Sequence, residues 1–214
     1  MFINHYFFLL IEKDMVETGF GEKIKGFLVN PVETFQKVKD ENLETVLKYF
    51  VVLAVIFSIL WAIIFAAKAS AMTSMIPIKM PFMGASAGGL VAVTMFIGCL
   101  ILLIIRLFIG ATIVHIFVHL LGGGKGYTQT VKAIGYGMTP SLLLGWIPFI
   151  GIIAGIWALI VKIIGIRELQ EMSTGKAVLA IILPLIIIVI VAVAIFMYVS
   201  GPVYSTPPYT PPTP

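Results

Sequence analysis

Five long apolar runs constrain this chain more than any other feature: residues 46–67, 90–121, 128–146, 148–166 and 177–199. A helix needs about 20 mostly apolar residues to cross a hydrocarbon core of about 30 Å. No water in that core satisfies backbone N–H and C=O groups, so such runs must be helical. The chain therefore reads as an all-α, polytopic integral membrane helix bundle with five transmembrane helices. Composition agrees: 60% of residues are hydrophobic and 11% charged, against about 25% charged in a soluble domain. The partner implied throughout is the lipid bilayer.

The charges set an orientation. With five spans and a cytoplasmic N-terminus, the inner side or its flanks carry Lys13, Lys23, Lys25, Lys37, Lys39, Lys48, Lys125, Lys132, Lys162, Arg167 and Lys176. Lys68 and Lys79 fall outside, and Arg106 lies within a span. This is the positive-inside distribution, and it puts the C-terminus outside. Splitting the long second run into a hairpin near 106–110 would divide the basic residues evenly and erase the bias. One long, tilted second helix is the better reading. The net charge of +4 is spread along membrane flanks, where it faces anionic headgroups rather than nucleic acid.

The connecting segments carry local signals. Residues 1–11 are apolar but too short to span and lack a basic n-region and cleavage site. Residues 1–14 read equally as an interfacial helix or as sequence upstream of a start at Met15. Asn30-Pro31-Val32-Glu33 marks a helix start, with Asn30 as cap, Pro31 in the first helical position and Glu33 reaching back to the cap. Val32, Phe35 and Val38 then predict a short amphipathic helix lying on the inner membrane surface. The outer loop 68–89 has no acidic residue and reads as irregular. Gly122-Gly123-Gly124-Lys125-Gly126 is not a phosphate loop, because His119 stands where the first glycine belongs and Gly126 where Ser or Thr belongs. These glycines stop a helix and turn the chain. Gly145-Trp146-Ile147-Pro148 predicts a tight outer turn. The Pro/Thr-rich tail, 200–214, reads as an extended, disordered segment.

Chemistry is sparse. All ten acidic residues lie outside the apolar runs, which argues against a proton- or cation-coupled carrier. One cysteine, Cys99, excludes an internal disulfide or a CxxC site. No catalytic, cofactor or metal motif is present, and no enzyme activity is expected. Three residues are candidates for an intramembrane site. Arg106 is the one ionisable residue deep in a run, which makes it a functional candidate by default; snorkelling to the inner headgroups is the favoured reading. His115 and His119 share a helix face at four-residue spacing, a metal-compatible pattern, but nothing nearby completes a site and two interfacial histidines are expected. Small residues mark packing faces: Ala54, Ser58 and Ala62 in the first span, Gly151 and Gly155 in the fourth, the last two expected to face span three or five. Pro140 and Pro184 should kink spans three and five.

The order of several short motifs resembles a known family. Asn30, Pro31 and Phe35 precede the first span. Gly124, Gly126 and Tyr127 lead to Ile134-Gly135-Tyr136-Gly137-Met138-Thr139-Pro140. Ile163-Ile164-Gly165-Ile166-Arg167-Glu168 follows the hairpin, and Met172-Ser173-Thr174-Gly175-Lys176-Ala177 opens the last span. This pattern resembles the Yip-type domain, the five-span family named for interaction with Ypt/Rab GTPases, and the chain is similar to its compact archaeal and bacterial members. The motif positions are Pro31, Tyr136, Pro140, Gly165 and Lys176. The resemblance implies five helices, an inner N-terminus, an outer C-terminus and a non-catalytic role as an adaptor or in membrane organisation or trafficking. It divides the chain into a cytoplasmic or interfacial segment (1–26), a Yip-type membrane domain (27–199) and the tail (200–214). The long cytosolic region of eukaryotic members, with its acidic-Tyr-Gly-Pro motif, is missing, which speaks against GTPase binding. Partners implied are other membrane proteins or a second copy of the chain. The membrane would be the cell membrane in a prokaryote and an endomembrane in a eukaryote. The alternative is a small transporter or channel for an anion or lipid headgroup, with Arg106 at its site.

Overall fold

The computed structural model describes residues 19–73 and 87–200, with side chains for 19–68 and 89–200. Among them are eight helices and no strand: α1 (Phe20–Val29), α2 (Pro31–Lys37), α3 (Leu43–Thr73), α4 (Ala87–Leu120), α5 (Tyr127–Gly137), α6 (Thr139–Leu144), α7 (Ile150–Gln170) and α8 (Thr174–Val199). The readings of residues 1–14, of most of the outer loop and of the Pro/Thr-rich tail lie outside the described residues.

Among the described residues four helices are long and apolar enough to cross a membrane: α3, α4, α7 and α8. Their outward faces are dense with exposed Ile, Leu and Val, above all on α8 from Leu183 to Val199. The third predicted span is not one continuous helix. That segment is not among these four: it forms the pair α5–α6, broken at Met138, and residues 130–140 are all buried. Pro140 has no N–H to continue the ladder. Buried backbone groups freed by such a break must find partners within the protein. Here Thr139 Oγ1 donates to Tyr136 O at 2.6 Å and Ser141 Oγ to Met138 O at 2.9 Å. α5 is the hub, packed against α3, α4 and α7. Glycine permits the closest of these approaches. A Cβ on Gly137 would lie 3.0 Å from the Lys162 Cα on α7.

The helix ends follow their sequence signals with two differences. α4 stops in a glycine turn: Gly122 has φ 88°, its N–H donates to His119 O at 3.1 Å, and Gly123 N–H donates to Val118 O at 2.8 Å. That paired bonding with a left-handed glycine closes the helix end. Asn30 stands at the start of α2 but its side chain makes no capping bond, and Glu33 does not reach the Asn30 N–H. Asn30 also ends α1, so its N–H is already given to Gly26 O at 2.8 Å; Glu33 instead accepts from Asn30 Nδ2 at 2.7 Å.

The second difference is where α2 points. Its apolar face does not lie on lipid; Phe35 and Val38 are buried in protein. Gly165 on α7 makes this possible, since a Cβ there would meet the Phe35 ring at 2.6 Å. Nor is α1 an appendage. It reaches inward to contact α6, and Phe27 is buried in the core. The boundary drawn at 26/27 falls inside this helix.

Candidate functional site

The end of the bundle where α1, α2 and the loops 38–42, 121–126 and 171–173 gather holds nearly all the polar chemistry. At its centre stands Tyr136, fully buried on α5. Phe27 stacks on its ring at 4.8 Å, and Tyr49 of α3 meets it edge-on at 5.1 Å. Such aromatic pairs add about 0.5–1.5 kcal/mol each beyond area burial. The Tyr136 hydroxyl donates to the Glu41 carboxylate. The other Glu41 oxygen is 2.7 Å from Lys23 Nζ, in a pair whose side chains are only 7% and 17% exposed. Lys132, one turn before Tyr136, donates to the carbonyls of Lys39 and Glu41, both at 2.6 Å. Below the ring, the Tyr49 hydroxyl bonds Thr139 Oγ1 at 3.0 Å. A buried charge is stable only when paired and hydrogen-bonded, and this cluster meets that condition by drawing on four helices and the loop 38–42.

A second set ties the loops together. Gln170, buried at the end of α7, accepts from Lys125 N–H at 3.0 Å and donates to Gly126 O at 2.8 Å and Thr130 Oγ1 at 3.0 Å. Glu171 is gripped by Lys39 at 2.6 Å and Lys125 at 2.5 Å. Hydrogen bonds from Lys125 and then Lys39 hold its carboxyl down at about 2. Glu171 also sits at φ 53°, a left-handed conformation that costs a non-glycine residue roughly 1–2 kcal/mol. The two lysines hold it there.

The predicted site residues separate. His115 Nδ1 bonds Thr130 Oγ1 at 2.9 Å, and its ring meets Tyr127 edge-on at 5.4 Å. His119 is exposed, and among the described residues no three His, Cys, Asp or Glu side chains gather as a metal site. Arg106 lies beside Lys162, a flank residue by its position in the sequence. Arg106 and Lys162 line one cavity of about 170 Å³ between α4, α5, α7 and α8. Lys23 and Lys132, flank charges by their position in the sequence, are buried in the structure.

Ala54, Ser58 and Ala62 do form a buried face on α3. Gly151 and Gly155 do not form one on α7. Gly151 packs on the turn leaving α6, where a Cβ would lie 2.7 Å from Gly145 O, whereas Gly155 faces open space. The buried face of α7 runs through Ala154, Ala158, Val161 and Gly165 instead. Glycines four apart share a helix face, but composition does not say whether that face meets protein or lipid.

Of the motif positions, Pro31, Tyr136, Pro140 and Gly165 are all buried. Tyr136 forms the centre of the cluster, Gly165 seats Phe35, and Pro140 opens α6. Lys176 lies apart at the start of α8, its Nζ 3.5 Å from where a Cβ on Gly122 would be. No sequence signal singled out Lys23, Glu41, Gln170 or Glu171; their roles arise from contacts between different segments, such as Tyr136 with Glu41 and Lys39 with Glu171. The chain's motifs have a counterpart among known families: the model of the Yip1 domain matches residues 25–196. No curated protein and no solved structure matches the chain.

Proposed function

Because the chain belongs to the Yip1 domain family, we propose that it is a non-enzymatic membrane adaptor, presenting a fixed platform of α1 and α2 to other membrane proteins or to a second copy of itself. One observation carries this reading: the buried Lys23–Glu41–Tyr136–Lys132 cluster fastens the α1–α2 corner to the bundle. A surface fixed in advance loses less entropy on binding. Its outward side offers Glu22, Lys25, Val29, Glu33 and Lys37, a mixed charged and apolar set suited to protein contact.

The proposal includes five crossings, with this platform on the cytoplasmic side. α4 ends at the platform, and α7 runs back to it from the opposite end. The pair α5–α6, about 27 Å long at 1.5 Å per residue, makes the crossing between them. The basic residues of the platform end set its side.

Photo-crosslinkers at Lys25 and Lys37, activated in native membranes and read by mass spectrometry, test the adaptor reading. A reproducible membrane-protein partner, lost when Glu41→Ala loosens the platform, is expected. The cavity bearing Arg106 and Lys162 favours a second reading, a small anion transporter or channel. Anion flux in liposomes without any crosslinked partner would replace the first reading with the second.

A further inference from the structure

We propose that the cavity between α4, α5, α7 and α8 is a binding site for a phosphate anion, supplied by the headgroup of an anionic phospholipid. Arg106 from α4 and Lys162 from α7 both line it. The only carboxylate on these four helices is Glu168, and it is taken by Arg167 at 2.6 Å and Gln36 at 3.1 Å. Two cations, Arg106 exposed on α4 and Lys162 half-buried on α7, therefore line one apolar cavity with no protein anion among its lining residues. Like charges so placed repel and lack the partner that intramembrane charges otherwise find. An anion entering between them relieves both problems. The pair suits phosphate: arginine offers a planar fork that bonds two oxygens at once, and lysine adds a point charge.

The shape indicates where the anion comes from. The other walls are apolar, including Ile134, Met138 and Leu159. The cavity is bounded on one side by Leu185 and Ile188, which are 47% and 50% exposed on the lipid-facing surface of α8. Acyl chains can lie along that surface while the phosphate enters sideways. Lys162 lies about 12 Å along α7 from its platform end, and Arg106 about 21 Å along α4 from its own. Basic pockets between membrane helices on the cytoplasmic side take lipid phosphates in this manner. Gly110 leaves room at the wall, with nothing within 4 Å of where its Cβ would be. The site is independent of the adaptor reading.

The test uses delipidated protein in detergent, with dioctanoyl phosphatidic acid as probe and dioctanoylglycerol and inorganic phosphate as controls. Thermal unfolding and native mass spectrometry read binding. Phosphatidic acid should raise the Tm saturably and remain bound in the gas phase, and dioctanoylglycerol should do neither. Arg106→Gln and Lys162→Gln should each weaken binding roughly tenfold or more. Without lipid, each should melt at or above the parent, because one unpaired charge is gone. Gly110→Leu, which keeps both charges but fills the space, should lose the lipid shift without lowering the lipid-free Tm. Equal lipid shifts in the parent and in the Arg106→Gln/Lys162→Gln double variant would overturn the site. An equal shift by inorganic phosphate at the same concentration would overturn the lipid as its occupant and leave a free-anion site.

Discussion

Tyr136 shows how much one side chain can organise. Its ring sits between Phe27 and Tyr49, and its hydroxyl meets a carboxylate already committed to Lys23. Tyr136→Phe keeps the ring and deletes a hydrogen bond to a charged group, which costs about 1.5–3 kcal/mol. The expected readout is a lower Tm in detergent with expression unchanged. Glu41→Gln should cost more, about 3–5 kcal/mol, because Lys23 is then left buried without its counter-charge. Pairing it with Lys23→Met should recover part of that loss, and a strictly additive double variant would show that the two residues are not coupled. Glu171 gives a pH-dependent case. Its carboxyl is held at about 2 against an ordinary 4.5, so its contribution is complete above pH 4.5 and is lost as the pH falls towards 2. The Tm gap between the parent and Glu171→Gln should accordingly be widest near neutrality and close on acidification. A gap that widens in acid would contradict the assignment.

Among the helices, α5 and α7 are set by glycine at particular contacts rather than by glycine content. Gly137→Ala would press a methyl on the Lys162 backbone, with Cα 3.0 Å away and N 3.1 Å away. A backbone cannot turn aside as a side chain can, so overpacking there should cost roughly 1–3 kcal/mol. Gly151→Ala meets the Gly145 carbonyl at 2.7 Å and should also lower the Tm. Gly155→Ala, one turn along the same helix, points into open space and should be neutral or gain up to about 1 kcal/mol of helix propensity. Melting all three variants side by side decides the matter; a Gly155→Ala as damaging as Gly137→Ala would mean that this face of α7 is covered. The small-residue spacing in the sequence identified glycines on one face, yet the face that packs is the one carrying Ala154, Ala158 and Val161. Both faces of the helix are apolar, and in lipid neither is driven inward by hydrophobicity.

For the whole molecule, the testable quantity is its sidedness. In a Cys99→Ser background, Lys125→Cys at the platform end should be shielded from an impermeant maleimide in intact cells. Phe149→Cys, at a turn position 84% exposed at the opposite end, should be labelled. Labelling at Lys125 in intact cells would reverse the orientation. The same reagent tests the proposed crossing by α5–α6, because an even number of crossings between these two positions would give both the same accessibility.

The sequence by itself determined that this is a membrane bundle, because apolar run length measured against bilayer thickness leaves no other form for such segments. It also marked the turn at 122–126, a kink at Pro140 that the structure shows as a break at Met138, and the turn at 145–148, since glycine and proline act through their own backbone sterics. The tertiary structure alone decided which charges are inside. Lys23, Lys132 and Lys162 look like flank residues from their spacing; Lys23 and Lys132 become buried because distant segments bring them a carboxylate or two carbonyls, and Lys162 becomes half-buried in a cavity wall. Burial of a charge depends on what meets it, and its partner can lie anywhere in the chain. The same holds for α2, whose amphipathic pattern fits a lipid surface as well as a protein groove. Gly165, some 130 residues away, provides the groove.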